Sequence, residues 1–125
     1  MPTGSCVPYL RVRDARASLD YYHRCLGFHK EWEHRVEPGS PLCLSVMRGN
    51  LRFFLTEHED DGPFGVCIYC YVNDADRLHS EFAIKGAHGL TPVNDKPWGR
   101  DFSVTDLDGN RIRFGSVRPD ASKAA

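Results

Sequence analysis

The second half of the chain repeats the first in outline. The first half reads Tyr9-Leu-Arg-Val-Arg-Asp14-Ala15, then a helical pattern, then Leu26-Gly27-Phe28. The second reads Cys70-Tyr-Val-Asn-Asp74-Ala75, then a helical pattern that ends at Gly86. Each half later carries a hairpin: Ser45-Val46-Met-Arg-Gly49-Asn50-Leu-Arg-Phe in one, Ser103-Val104-Thr-Asp-Leu-Asp-Gly109-Asn110-Arg-Ile-Arg-Phe in the other. A repeat this short is one supersecondary unit, and such a unit buries its apolar face only by packing on a second copy.

Asp14 caps the first helix, because its carboxylate accepts a backbone N–H left free at a helix start. Ala15, Leu19, Tyr22 and Leu26 then share one face at helical spacing, and Gly27 ends the run where a positive φ is needed. Asp74 caps the second helix, Ala75, Leu78 and Phe82 form its apolar face, and Gly86 stops it. Around the helices the period changes to two: Leu10 and Val12 alternate with Tyr9 and Arg11, and Ile68, Cys70 and Val72 with Cys67, Tyr69 and Tyr71. Gly49-Asn50 and Asp108-Gly109-Asn110 are hairpin turns. Each half is therefore strand, helix, then a meander of about three strands, an α+β arrangement of two βαβββ modules. Their bounds are about residues 5–58 and 64–117, with loop 59–63 between them, in a single domain over 1–125.

One domain is what 125 residues allow. With 41% apolar and 26% charged residues and a formal net charge of -1, the chain is an ordinary globular protein with no basic tract for nucleic acid. No apolar run reaches membrane-span length, and Met1 to Ser5 lacks a signal-peptide pattern. The odd count of five cysteines, without framework spacing, reads as reduced thiols in a cytoplasmic protein. The tail after Arg118 is expected to fray.

A sheet with one helix layer has a second face, and alternation assigns it. Leu10, Val12, Leu51, Phe53, Leu55, Ile68, Val72, Phe102, Val104, Ile112 and Phe114 face the helices. The other face carries Val7, Tyr9, Arg11, Arg52, Phe54, Cys67, Tyr69, Tyr71, Arg111 and Arg113. Aromatic rings mixed with guanidinium groups make a cup that stacks flat ligands and pairs anionic ones. The same residues also suit a second small core with arginines at its rim, or a dimer interface.

At these residues the chain resembles the vicinal-oxygen-chelate superfamily: glyoxalase I, extradiol dioxygenases, fosfomycin-resistance enzymes and bleomycin-resistance proteins. The resemblance rests on Val7-Pro8-Tyr-Leu10, Arg13-Asp14, Tyr21-Tyr22 and Leu26-Gly27-Phe28 in one module, and on Asp106-Leu-Asp108-Gly109-Asn110 in the other. Lys96-Pro97-Trp98-Gly99-Arg100-Asp101-Phe102 is similar to a segment of bleomycin-resistance proteins. The resemblance implies the glyoxalase/bleomycin-resistance fold, a curved mixed sheet with helices on its outer face.

The superfamily's enzymes hold a divalent metal through four cup-facing side chains, and the matching positions here are Val7, Phe54, Cys67 and Arg113. Valine and phenylalanine have no lone pair to donate, and arginine stays protonated. The expectation is accordingly no metal, no cofactor and no catalytic residues. In bleomycin-resistance proteins the drug is sequestered in grooves across a homodimer interface. By that resemblance Trp98 stacks on the ligand and Trp32 lines the groove, with Tyr9, Phe54, Tyr69, Tyr71, Arg52, Arg111 and Arg113 around them. The implied function is metal-independent sequestration of a planar organic molecule, an antibiotic of the bleomycin type. The alternative is a superfamily enzyme acting on a small aromatic or anionic metabolite with an atypical metal or none. One departure stands out: bleomycin is cationic, and this cup carries Arg11, Arg52, Arg111 and Arg113. Glu57, Glu59, Asp60 and Asp61 are the acidic residues expected near its mouth, and Asp101 is expected to face one of the arginines.

Other constellations carry less. No two histidines have the helical spacing of a zinc motif. Cys67-Ile-Tyr-Cys70 lies in a strand, where residues three apart point to opposite faces, so it is no redox pair.

Overall fold

A computed structural model describes residues 4–118 of the chain. Met1 to Thr3 and the tail beyond Arg118 lie outside the described residues. The first module runs β1 (Tyr9–Arg11), α1 (Ala15–Leu26), β2 (His29–His34), β3 (Cys43–Arg48) and β4 (Leu51–Thr56). A single 3₁₀ turn at Glu59–Asp61 follows, and then β5 (Cys67–Tyr71), α2 (Ala75–Ile84), β6 (Asn94–Lys96), β7 (Gly99–Thr105) and β8 (Arg111–Val117). The mixed sheet is built as two four-stranded sheets of the same order, β1-β4-β3-β2 and β5-β8-β7-β6. In each, the first strand lies parallel to the last while the meander is antiparallel.

The helix ends follow from their capping residues. Asp14 Oδ1 accepts from the backbone N–H of Arg16 and Ala17 at 3.1 Å, and Asp74 accepts from that of Arg77. Gly27 takes a left-handed φ of 72° and returns its N–H to the last turn of α1. Glu57 reaches back from the end of β4 to accept from Ala15 N at 2.8 Å and from Leu42 N at 3.0 Å. It therefore serves the start of α1 and not the cup mouth. Asp61 is likewise engaged, accepting from the Thr56 hydroxyl at 2.6 Å.

One apolar cluster spans both modules. Every strand residue assigned to the helix side by alternation belongs to it, with Leu51, Ile68 and Val72 at its margin. Tyr22, Phe28 and Phe53 form an aromatic group in the first module, matched by Phe82, Phe102 and Phe114 in the second.

The joint between the modules is polar at its centre. Asp106 is buried in the β7–β8 turn, where Oδ2 accepts from the Tyr22 hydroxyl at 2.8 Å and from Asn110 Nδ2 at 3.0 Å. Its Oδ1 accepts from the backbone of Asp108 and Asn110. Asn110 also donates to Arg11 O at 2.9 Å and accepts from the N–H of Gly65 and Val66. One five-residue turn thus ties together α1, β1 and the entry to β5. Burial, and then the adjacent Asp106 carboxylate, push the Tyr22 hydroxyl well above its usual pKa, so it stays a donor. Opposite this joint, Arg48 in the β3–β4 turn donates to Leu26 O and to Glu81 of α2, each at 2.9 Å.

Two predictions follow from these contacts. Tyr22→Phe leaves a buried carboxylate short of a donor and should cost about 1–3 kcal/mol in urea unfolding; an unchanged midpoint would contradict a structural role for the hydroxyl. The Arg48 hydrogen bonds, helped by Lys85, bring the Glu81 pKa from 4.5 down to about 2. A lowered folded-state value stabilises fully above 4.5 and is lost as pH falls toward 2. Glu81→Gln should therefore reduce stability at neutral pH and flatten its fall across that acid window, measured by thermal melts at a series of pH values.

Candidate functional site: a cup divided between two modules

The face of each sheet turned away from the helices carries the aromatic and guanidinium residues, and each half has its own internal order. In the first module the parallel register sets Tyr9 beside Phe54, with ring centroids 5.2 Å apart at 67°. Trp32 joins them, its centroid 5.1 Å from that of Phe54. It arrives there through a bulge: the register of β2 on β3 shifts between Lys30 and Trp32, leaving Glu31 as the extra residue. With Trp32 opposite Ser45, the Glu31 carboxylate also reaches the cup side. It accepts from the Ser45 hydroxyl at 2.8 Å and from Arg52 through two bonds of 2.7 Å. Arg52 first, and then Ser45, hold the Glu31 pKa below the usual carboxylate value.

In the second module Tyr69 lies beside Arg113, whose guanidinium sits 5.2 Å from the ring centroid. Both converge on Asp101, which is 2% exposed. Arg113 pairs with its Oδ2 at 3.0 Å, and the Tyr69 hydroxyl donates to the same oxygen at 3.2 Å. Gly115 makes this possible, since a Cβ there would fall 2.0 Å from the tyrosine oxygen. Tyr69 titrates above its usual value: burial dominates, the nearby Trp98 side chain opposes, and Asp101 adds to the rise while Arg113 opposes it. Tyr71 completes the row, 5.1 Å from Tyr69. Trp98 occupies the turn between β6 and β7 and is 45% exposed.

The residues read from the sequence therefore divide into two groups. Tyr9, Trp32, Phe54 and Arg52 stand together in one half-cup; Tyr69, Tyr71, Trp98, Arg111 and Arg113 belong to the other. Beside β8 the second half encloses an open hollow of about 260 Å³, lined by Thr91, Asn94, Asp101, Ser103, Arg111 and Arg113 among others. A larger hollow of about 520 Å³ lies on the helix side, between the β3–β4 turn and α2, where Arg48 and Glu81 pair with each other.

The charge of the cup departs from its sequence reading. Arg52 and Arg113 are each matched by a carboxylate of the same half-cup. Arg11 folds over the Phe64 ring at 4.5 Å and donates to the carbonyls of Glu59 and Gly62. The cup is thus less arginine-rich in effect than in composition. Ser45 and Ser103, at repeat-equivalent strand positions, take different partners: Ser45 binds Glu31, whereas Ser103 pairs with Thr91. Glu31 escaped the sequence reading altogether, because strict alternation places it on the opposite face to Trp32 and no residue pattern marks the bulge.

Of the four positions where the superfamily's enzymes carry metal ligands, three offer no available donor, and Cys67 by itself does not make a site. Phe54 packs between two rings and Arg113 is committed to Asp101; Val7 has no donor atom. Among the described residues no group of three or more His, Cys, Asp or Glu is placed to hold an ion. Ring nitrogens of His23, His79 and His88 bond to backbone carbonyls. Cys67 is exposed and Cys70 buried, on opposite faces of β5, and burial lifts the Cys70 thiol to about 11. Among the described helices none is long and apolar enough to cross a membrane.

The family model for glyoxalase superfamily proteins matches residues 3–120. A comparison with curated protein sequences finds no match. Among solved structures, the chain is similar to the bleomycin-binding protein of bleomycin-producing Streptomyces verticillus, solved with copper(II)-bleomycin, at 26% identity and a TM-score of 0.71 over 94% of this chain and 99% of that one. An antibiotic binding protein from Streptomyces sp. CB03234 aligns at 18% identity and a TM-score of 0.74, over 94% and 100% of the two chains. The bleomycin resistance determinant encoded on transposon Tn5 aligns at 19% identity and a TM-score of 0.72, over 93% and 99%. With a paired-module architecture, matching sheet order and a family match across nearly its whole length, the chain belongs to the glyoxalase superfamily.

Proposed function

We propose that this protein sequesters a planar organic molecule, antibiotic in type, without transforming it. The observation that carries the reading is the exposed aromatic row of the cup: Trp98, Trp32, Tyr9 and Tyr71 remain open to solvent while the acids beside them are already hydrogen-bonded. Flat rings held in place by satisfied polar neighbours form a stacking surface, and each ring pair adds about 0.5–1.5 kcal/mol beyond the area it buries. The donor set at the metal positions favours binding over the superfamily's metal chemistry, and a solved relative bound to a bleomycin complex supports the drug class.

We further propose that a second copy of the chain completes each cup. Apart from Arg11, the cup-face contacts stay within their own module, whereas the modules meet through α1, α2, Arg11, Arg13 and the hairpin turns. Each half-cup is therefore left open on one side, with Tyr71 70% exposed. Analytical ultracentrifugation should give a dimer. A monomer that still binds ligand would remove the shared-cup arrangement and leave sequestration standing.

Titration with metal-free and copper-bound bleomycin, followed by tryptophan fluorescence, tests the drug class. Saturable quenching at micromolar concentration is expected, and Trp98→Ala should weaken binding more than Trp32→Ala. Equal, undiminished binding in both variants would exclude tryptophan stacking.

A further inference from the structure

The two half-cups differ in how their charges are balanced. Glu31 binds Arg52 through both of its oxygens. Asp101 binds Arg113 and takes the Tyr69 hydroxyl on the same oxygen. Arg11 is held against Phe64 and two backbone carbonyls. Arg111 remains. It stands exposed at the start of β8, opposite Thr105 of β7, and its side chain has no carboxylate partner among the described residues. Asp101 is the one carboxylate lining the hollow beside it, and that group is already engaged. The remaining polar lining consists of the Thr105 hydroxyl and the Asn94 amide, with Thr91 and Ser103 hydrogen-bonded to each other.

We infer that Arg111 is the anion-recognising residue of the cup, and that the preferred ligand is a planar molecule carrying one carboxylate. The inference rests on the cup being the ligand site. A guanidinium without a protein counter-charge can give a carboxylate two parallel hydrogen bonds, the geometry in which arginine discriminates best. Arg52 and Arg113 are poor candidates for this part, because a ligand anion would have to displace or sit beside Glu31 or Asp101. They hold the walls of the cup. The aromatic row would take the ring, and Arg111 would set its direction and its charge.

The test compares 2-naphthoate with 2-naphthamide, which share a ring system and differ in charge, by calorimetric titration of the full chain. The acid should bind about tenfold more tightly than the amide, the gain of one charge-assisted contact, and the preference should shrink in high salt. Arg111→Gln should bring the acid to the level of the amide, and a circular-dichroism spectrum matching that of the unmodified protein shows that the variant is folded. Arg24→Gln, which removes a charge from the exposed face of α1, should keep the full preference. Equal binding of both probes to the unmodified protein would overturn the role of Arg111 and leave the cup as a ligand site. Parallel loss of both probes in Arg111→Gln would make the residue a support of the cup and overturn its role in reading charge. Failure of both probes to bind the unmodified protein would overturn this inference, while the bleomycin titration decides the cup reading separately.

Discussion

The buried carboxylate of Asp106 is the contact on which the two-module arrangement turns. A charge removed from water is tolerated only when hydrogen bonds replace its hydration, and Asp106 has four, from Tyr22, Asn110 Nδ2 and two backbone N–H groups. Three of these donors lie within its own turn, and the fourth, from Tyr22, crosses to the other module. Tyr22 belongs to the first helix, while Asn110 carries the network onward to β1 and to the start of β5. Apolar packing alone would allow the modules to slide on each other. The geometry of these bonds admits one relative position, and so fixes where each sheet turns its aromatic face.

The repeat is symmetrical in outline but not in its turns. The second module closes β7 to β8 with the longer Asp106–Asn110 turn, the first closes β3 to β4 with Gly49-Asn50. Arg48, beside the shorter turn, reaches α2 by an ion pair with Glu81 instead of a buried network. That pair is partly solvated and its energetic worth is correspondingly small. One side of the joint is therefore firmly closed, and the other leaves an open hollow. The half-cups diverge in the same manner: a bulge brings Glu31 to Arg52 in one, whereas a bare glycine lets Tyr69 cross to Asp101 in the other.

These differences bear on chemistry. In the superfamily's enzymes the cup gathers metal ligands; here the corresponding positions hold an aromatic stack, an ion pair, an exposed thiol and an aliphatic side chain. Among the described residues, the cup face presents rings, hydroxyls, the exposed Cys67 thiol and, in Arg111, a guanidinium without a carboxylate partner. Such a set can orient and retain a flat molecule.

Much of this architecture could be read from residue order. The period of two in the strands, the capping aspartates and the turn glycines depend on neighbours a few positions apart, so the repeat, the helix limits and the apolar face are legible in the sequence. The aromatic character of the opposite face was legible for the same reason. The partners of its charges were not. Arg52 meets a residue 21 positions away through a bulge that reverses local alternation, and Arg113 meets Asp101 only because β7 and β8 pair in one register. Glu57, placed by sequence near the cup mouth, is drawn to free N–H groups at the start of α1. Sequence by itself determined which residues of the regular strands share the cup face, since side-chain direction along an unbroken strand is a local property. Tertiary structure decided which of its charges are already neutralised and which has no carboxylate partner among the described residues, because that depends on atoms brought together across strands and turns.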